Sequence, residues 1–130
     1  MPKFSQRSLA NLSTADKKLW DLFSEVIKYY DCTILCGTRS KEDQEKAFKQ
    51  GRTTLHYPQS NHNSLPSRAV DVVPYPIDWS NLEQFYHFGG YVLGIAKMMG
   101  LNIRWGGDWN GDFNLKNQNF YDLPHYEVRG

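Results

Sequence analysis

The stretch Ser60-Asn61-His62-Asn63-Ser64-Leu65-Pro66-Ser67-Arg68-Ala69-Val70-Asp71 is the one around which the rest of the chain is organised. It presents an imidazole, His62, in a polar loop and a carboxylate, Asp71, at the start of an apolar run. Folded chains commonly offer ligands to a divalent metal ion in this way. Asp71 is flanked by valines in a predicted core strand, and burying its charge is costly unless a cation or hydrogen-bond donors satisfy it. The stretch therefore predicts a loop and a strand that each carry one metal ligand.

A second histidine with a nearby carboxylate occurs close to the C-terminus, in Asp122-Leu123-Pro124-His125-Tyr126-Glu127. Together, His62, Asp71 and His125 would give a tetrahedral zinc ion three protein ligands and leave its fourth position for water, as in a catalytic site. Asp122 is expected to act as the base that takes a proton from this water and passes it to a leaving amine. This role requires a turn at the intervening proline, because residues three apart in an extended segment point to opposite sides.

These residues also have plain structural interpretations. A histidine in a polar loop is usually solvated, and His125 could equally be a packed, hydrogen-bonded side chain. His56 is expected on a loop surface and His87 on a helix, both without a metal. Cys32 and Cys36 lie in a predicted strand, where extended geometry keeps them too far apart for a disulfide, so reduced, buried thiols are predicted.

Length and composition restrict the class of protein. A chain of 130 residues can close one hydrophobic core, so residues 1–130 are predicted to form a single domain. The formal net charge is +1 and the basic residues are dispersed, which gives no electrostatic footprint for nucleic acid or for stable membrane association. No apolar block of signal-peptide length follows the N-terminus, and no stretch approaches a membrane span. We expect a monomer that is kept in the cytoplasm of the cell that makes it.

The apolar pattern predicts helices mixed with short strands. Apolar residues from Leu19 to Tyr30 recur at three- and four-residue intervals and indicate a helix that starts near Ser13 or Thr14. The other predicted helices start at capping boxes, Ser40 with Asp43 and Ser80 with Glu83, and stop at Gly51 and Gly100. The predicted strands are residues 32–36, 69–73, 101–105 and 120–128, with a long surface loop at 52–67. We therefore predict an α+β fold: a small, mostly antiparallel sheet with flanking helices and a metal site at the sheet.

Several motifs together resemble a known family. Ser60-x-His62 leading to Ala69-x-Asp71, with Asp122-x-x-His125 near the end, resembles the zinc D-alanyl-D-alanine carboxypeptidase and endolysin family, whose members cleave peptidoglycan stem peptides. Gly37-Thr38-Arg39-Ser40 followed by Gln44, and Arg104-Trp105-Gly106-Gly107-Asp108-Trp109, are similar to two further segments of that family. The resemblance runs from Thr33 to Glu127 and is greatest to the phage L-alanyl-D-glutamate endopeptidases, which are endolysins.

The resemblance implies a role for each matching residue. It places one zinc ion on His62, Asp71 and His125, with Asp122 as the catalytic base. Arg39 is expected to bind the substrate carbonyl and stabilise the oxyanion. The remaining residues implied, as supports of the metal site or as substrate contacts, are Ser60, Gln44, Trp105 and Tyr126, the last two as cleft walls. The segment between His62 and Asp71 is longer than the family pattern and lacks a glycine, which predicts an enlarged loop.

The function that follows is a zinc-dependent phage endolysin that hydrolyses an amide bond of the stem peptide, between L-alanine and D-glutamate. Without a secretion signal, such an enzyme would wait in the host cytoplasm for a separate pore. One alternative within the same chemistry is a D-alanyl-D-alanine carboxypeptidase or dipeptidase. Another, of a different class, is a non-catalytic zinc-containing module that binds wall peptides or a protein. The presence of Asp122 and Arg39 argues against that module, because a purely structural metal needs neither a base nor an oxyanion donor.

Overall fold

The computed structural model describes residues 2–129, so residues 1 and 130 of the predicted domain lie outside the described residues. Its helices are α1 (Gln6–Leu12), α2 (Lys17–Val26), α3 (Lys41–Lys49) and α4 (Leu82–Met98), and a 3₁₀ turn spans Asn61–Asn63. Its strands are β1 (Cys32–Cys36), β2 (Ala69–Pro74), β3 (Ile103–Gly106) and β4 (Asp122–Val128). This single compact mixture of helices and strands confirms the predicted α+β class.

The strands of residues 2–129 form one four-stranded sheet in the order β1-β2-β4-β3, and each neighbouring pair is antiparallel. The predicted small antiparallel sheet is therefore confirmed. β2 and β4 are the central strands, and Asp71 and His125 are directly opposite each other in their register. Opposite residues in an antiparallel pair have Cβ atoms about 4.5–5.5 Å apart. Sheet pairing thus brings together two predicted ligands that are distant in the sequence.

One face of the sheet packs against α2 and α4 and forms the hydrophobic core. Side chains alternate along β4, so Tyr126 and Val128 enter this core while His125 and Glu127 point to the opposite face. Tyr126 is 0% exposed and meets Phe23 of α2 edge-on, with ring centroids 5.4 Å apart. The strand therefore separates the core from the face that carries the predicted site.

The apolar pattern did not predict α1, because only Ser8 and Leu12 of this helix are buried. Polar contacts hold the helix instead. The Ser8 backbone N–H donates to the Ser5 hydroxyl at 3.1 Å, which caps the helix, and the Asn11 amide donates to the Ile34 carbonyl at 2.9 Å. Because α1 is held by a cap and a side-chain amide and buries few apolar residues, its sequence shows little apolar periodicity.

Two of the three predicted helix starts are wrong. α2 begins after Asp16, whose carboxylate accepts a hydrogen bond from the backbone N–H of the second helical residue at 2.8 Å. α4 is capped by Asn81 instead of Ser80, because the Ser80 hydroxyl is bonded to Asp78 at 2.6 Å. The cap predicted at Ser40 is confirmed, since its hydroxyl accepts a hydrogen bond from the Asp43 backbone N–H at 3.1 Å. Side-chain caps compete locally, and sequence spacing alone does not decide between neighbouring candidates.

The last two strands start later than predicted, because residues before them are used elsewhere. The Leu101 N–H donates to the Ala96 carbonyl at 2.9 Å, which closes the end of α4 around Gly100 with its φ of 73°. The Phe120 carbonyl accepts a hydrogen bond from the Trp109 indole at 2.8 Å, so Phe120 belongs to the loop that precedes β4. Within residues 2–129, α4 is the longest helix at 17 residues, and none of the described helices combines the length and apolarity needed to cross a membrane.

Candidate active site

His62 lies on the 3₁₀ turn between α3 and β2 and is 2% exposed, whereas the sequence predicted a surface loop there. Ser60 caps this turn, since its hydroxyl accepts a hydrogen bond from the His62 backbone N–H at 3.2 Å. The His62 ring donates from Nδ1 to the Gly37 carbonyl oxygen at 2.8 Å. Because a carbonyl can only accept, this contact assigns a proton to Nδ1 and, in the neutral ring, leaves the Nε2 lone pair facing Asp71.

His125 is oriented in the same way from the other side of the site. Its Nε2 donates to Glu127 Oε1 at 2.7 Å, and Glu127 in turn accepts hydrogen bonds from Arg104 at 2.8 and 3.1 Å. The remaining nitrogen, Nδ1, lies 3.6 Å from Asp71 Oδ1 and 3.9 Å from Asp122 Oδ2. The sequence did not predict the part played by Glu127. The signal was present, because residues two apart in a strand lie on the same face.

Asp71 is the point at which the predicted residues meet. Its Oδ1 lies 3.2 Å from His62 Nε2 and 3.6 Å from His125 Nδ1, and the two imidazole rings are 5.2 Å apart between centroids. Its Oδ2 lies 3.4 Å from the Arg39 guanidinium. The longer loop between His62 and Asp71 therefore leaves both ends next to each other.

Asp122 reaches the site through an irregularity in β4. Gly106 of β3 is paired with Asp122, while the preceding Trp105 is paired with Tyr126, so one step on β3 corresponds to four on β4. A Cβ at position 106 would lie 2.0 Å from the Asp122 carbonyl oxygen, so this close approach requires glycine. The turn predicted at the proline is thus a bulge, and Asp71, Asp122 and His125 form one group of possible metal ligands.

The charges of this group are strongly coupled. Burial lowers the pKa of His62, but the hydrogen bond and the negative charge of Asp71 outweigh burial and raise that pKa to about 10. The same balance raises the pKa of His125 above its ordinary value. Burial alone would raise the pKa of Asp71, yet its contacts with both histidines hold it well below the usual range. In the protein alone, protons on the imidazoles compensate the carboxylate.

A divalent metal ion suits this arrangement better than protons do. His62 Nε2 and His125 Nδ1 both approach Asp71 Oδ1, at 3.2 and 3.6 Å, and the other nitrogen of each ring already donates outward. The two histidines belong to separate groups of possible ligands, which share Asp71. Metal-bound histidines generally have such an outward hydrogen bond, which fixes the tautomer and the ring orientation. The donor set of two imidazole nitrogens and a carboxylate oxygen therefore fits a divalent metal.

Cys36 forms a second group of possible ligands with His62 and Asp71, which the sequence did not predict. Its Sγ lies 3.8 Å from His62 Nδ1, the nitrogen that donates to the Gly37 carbonyl. Since Asp71 contacts the other nitrogen, Cys36 lies beside the donor set and outside it. Both Cys36 and Cys32 are free thiols, as predicted, although only Cys32 is fully buried.

Arg39 and Gln44 form the edge of the site next to α3. Gln44 is 0% exposed, and its Oε1 accepts hydrogen bonds from Arg39 NH1 at 3.1 Å and from the Asn63 amide at 3.2 Å. The Arg39 backbone N–H donates to the His62 carbonyl at 2.6 Å. Because it is fully buried, Gln44 holds Arg39 and the 3₁₀ turn in place instead of contacting a ligand directly.

The prediction that Trp105 and Tyr126 line the cleft is wrong. They are 2% and 0% exposed, pair across β3 and β4, and stack in the core with centroids 6.4 Å apart. Side chains alternate along β4, so Tyr126, next to His125, must face the core. Trp105 pairs with Tyr126 and lies on the same face. The Trp105 indole donates to the Leu123 carbonyl at 2.7 Å and so supports the bulge from behind.

Asp71, Asp122 and His125 of the candidate site line a cleft of about 1320 Å³, whereas His62 is buried and is not part of this lining. One wall consists of α3 and the segment of residues 52–59, and the other carries aromatic side chains that the sequence did not assign to the cleft. These aromatic residues are Trp79, Phe85, Tyr86, Trp109, Phe120 and Tyr121. The aromatic residues of the cleft are therefore other than Trp105 and Tyr126, the two expected as its walls.

Within residues 2–129, the two remaining histidines belong to neither group of possible ligands. His56 is exposed in the loop after α3, stacks on Phe48 at 3.7 Å and contacts Glu45 at 2.8 Å. His87 is exposed on α4, with its Nδ1 2.9 Å from the Tyr30 hydroxyl.

Comparisons with known proteins find similar sequences and a similar fold. A family model described as phage L-alanyl-D-glutamate peptidase matches residues 1–129. An L-alanyl-D-glutamate peptidase of Escherichia phage T5 is 29% identical over 134 residues, covering 97% of each chain. The fold is similar to a crystal structure of the Serratia marcescens L-Ala D-Glu endopeptidase ChiX, with a TM-score of 0.76 and 22% identity over 98% of this chain and 90% of that one.

Proposed function

Because the chain belongs to the phage L-alanyl-D-glutamate peptidase family, we propose that it is an endolysin that hydrolyses the amide bond between L-alanine and D-glutamate in the peptidoglycan stem peptide. One observation carries the proposal. Asp71 Oδ1 lies next to the free nitrogens of two imidazoles, and Asp71, Asp122 and His125 line a large cleft. The match to the phage T5 peptidase along 97% of both chains supports the same activity.

The proposed cofactor is a single zinc ion held by His62, Asp71 and His125. Two imidazoles and one carboxylate make up a ligand set that is common in catalytic zinc sites. When bound, zinc supplies Lewis acidity and makes a water nucleophile available near neutral pH. The contacts of Gly37 and Glu127 keep the two rings directed toward Asp71.

Asp122 is the proposed general base. Burial, followed by the negative charge of Asp71, raises the pKa of its carboxyl group. A carboxylate with a raised pKa accepts a proton more readily, and the Asp122 side chain is 36% exposed, so it reaches the cleft. Its role is to take a proton from the attacking water and deliver it to the nitrogen of the leaving amine.

Arg39 is the proposed donor to the substrate carbonyl oxygen. Two of its five N–H groups point to Gln44 and Asp71, which leaves others for the substrate. Its fixed positive charge stabilises the negative charge that develops on the carbonyl oxygen as water attacks. Ser60 and Gln44 act as positioning residues, since they hold the backbone of His62 and the guanidinium of Arg39.

The proposed substrate is thus the bacterial stem peptide. The proposed localisation is that of an endolysin, which stays in the host cytoplasm until it is released to the wall. All proposed ligands and catalytic residues come from one chain, so a monomer is sufficient for activity. Light scattering coupled to size exclusion tests this, and a dimer that loses activity on dissociation would contradict it.

The activity is tested by digesting purified sacculi and analysing the muropeptides by mass spectrometry. We expect a new amino terminus on D-glutamate, loss of this product after complete removal of metal by a chelator, and recovery with zinc. Release of terminal D-alanine alone would instead indicate a carboxypeptidase. Hydrolysis that continues without metal would reject the proposed chemistry.

A further inference from the structure

The two walls of the cleft differ in charge. The wall formed by the end of α3 and residues 52–59, here called the basic wall, presents Lys46 and Arg52 together with neutral polar side chains. The opposite wall is mainly aromatic and includes Trp79 and Trp109. A carboxylate, Asp43, lies at the inner end of the basic wall, in the first turn of α3. The outer part of this wall is therefore positive, and the facing wall is apolar.

The two cations of the basic wall have no carboxylate partner in the described part of the chain. Among residues 2–129, the other cleft arginines are paired, Arg39 with Asp71 and Arg104 with Glu127, whereas no ion pair involves Lys46 or Arg52. Both side chains are exposed. Unpaired cations that line a cleft attract and orient anionic ligands.

The basic wall is an ordered part of the fold. The buried Gln44 donates to the Leu55 carbonyl at 2.7 Å, and Glu45 accepts hydrogen bonds from the Tyr57 backbone and the His56 ring at 3.0 and 2.8 Å. These contacts fasten the segment of residues 52–59 to α3. Because Gln44 also holds Arg39, the basic wall and the proposed oxyanion donor are parts of one hydrogen-bonded unit.

We propose that Lys46 and Arg52 form a subsite for a free carboxylate of the stem peptide, located two to three residues from the amide that is cut. This inference rests on the proposed function. From the start of α3 beside Arg39, Lys46 lies roughly 8 Å along the helix at about 1.5 Å per residue. An extended peptide covers this distance in two to three residues at about 3.3 Å each.

The stem peptide carries the negative charge that the proposed subsite binds. The glutamate that follows the cut amide carries its free carboxyl group one residue from it, whereas the carboxylate that ends the stem peptide lies farther along and is the one that can reach the subsite. The cation on the aromatic wall, Arg104 over the Trp109 ring, is already paired with Glu127, so the carboxylate is expected on the basic wall. The subsite would select acidic stem peptides over amidated ones.

The test uses synthetic stem peptides in which each free carboxylate is amidated in turn, with kcat and KM measured at low ionic strength. For the zinc-loaded protein, amidation of one particular carboxylate should raise KM about tenfold with little change in kcat. The double variant Lys46→Gln/Arg52→Gln should bind the acidic peptide as weakly as the amidated one. Lys49→Gln is the matched control, since Lys49 is on the same helix but does not line the cleft.

The outcomes separate this subsite from the proposed function. A double variant that still prefers the acidic peptide, or a wild-type protein indifferent to every amidation, overturns the subsite while cleavage itself stands. Calorimetry with Asp122→Ala compares acidic and amidated peptides in a form that does not cut them. A preference for the acidic peptide that disappears on adding Lys46→Gln/Arg52→Gln supports the subsite even when no bond is cleaved, and equal affinities reject it.

Discussion

The two faces of β4 share one backbone but are held by different forces. On the cleft face, His125 and Glu127 take part in a chain of hydrogen bonds that ends at Arg104. On the core face, Tyr126 is 0% exposed, and its hydroxyl has no hydrogen-bond partner among the described residues. Directed polar contacts therefore position the site, and burial of apolar surface stabilises the fold. Substitutions on the two faces should change different measurable quantities.

The largest effect is expected for Asp122→Ala on the cleft side. Loss of a general base typically lowers the rate by about 10²–10⁴-fold, so kcat should fall by this order while the metal content and the melting temperature stay close to wild type. Steady-state hydrolysis of a stem peptide, with metal analysis of the same sample, measures both. Wild-type kcat in this variant would remove Asp122 from the role of base.

On the core face, Tyr126→Ala should lower the free energy of unfolding by about 3–5 kcal/mol, because it leaves a large cavity between the sheet and α2. Tyr126→Phe is the control. It should be nearly neutral, since the hydroxyl it removes is buried without a partner. Denaturant unfolding measures the free energy of unfolding of both variants. Equal destabilisation by the two substitutions would show that the hydroxyl is hydrogen-bonded.

An intermediate effect is expected for Glu127→Ala, which removes the acceptor of His125 Nε2. Loss of such an outer contact of a metal-bound histidine typically weakens metal affinity by about 10–100-fold. Competition with a chelating dye gives the affinity, and Glu25→Ala serves as a surface control because, among residues 2–129, Glu25 forms its ion pair with Lys28. Unchanged affinity would mean that packing alone orients the ring.

A pH dependence of metal binding is also expected, and it belongs to the cleft face alone. Burial lowers the pKa of His62, but Asp71 outweighs it and raises the pKa to about 10, and the pKa of His125 is also raised. A raised pKa means that the metal-free protein holds protons that the metal must displace. Affinity should therefore fall as pH decreases from 9 to 6, by about tenfold per pH unit for each displaced proton.

An ordinary histidine would make this dependence level off above about pH 7, near the reference pKa of about 6.5. Dye competition at several pH values distinguishes the two cases. Equal metal affinity at pH 7 and pH 9 would contradict the coupling between Asp71 and the imidazoles.

The sequence was sufficient to predict strands and possible ligands, because their signals are local. Asp71 is anomalous within an apolar run, and Asp122 and His125 have a recognisable spacing. For the sheet that joins them, the sequence predicted only its type, small and mostly antiparallel. Its register, which sets Asp71 opposite His125, depends on contacts between strands that are distant in sequence.

The errors have different origins. The resemblance assigned Tyr126 to a cleft wall, yet alternation along the strand sends it to the face opposite its neighbour His125. Cys36 was missed as a neighbour of His62 because this contact joins two residues that are distant in sequence. Glu127 was missed although strand alternation places it on the same face as His125. The helix cap at Asn81 was missed because Ser80 is occupied by Asp78, a local competition that spacing does not reveal.

The most direct test of the metal centre is the zinc content of the purified protein, compared with His125→Ala and with His87→Ala as a control on α4. We predict about one zinc ion per chain in the wild-type protein and in His87→Ala, and a large loss in His125→Ala, because His125 faces Asp71 whereas His87 contacts Tyr30. A full equivalent of zinc retained by His125→Ala would contradict the proposed site.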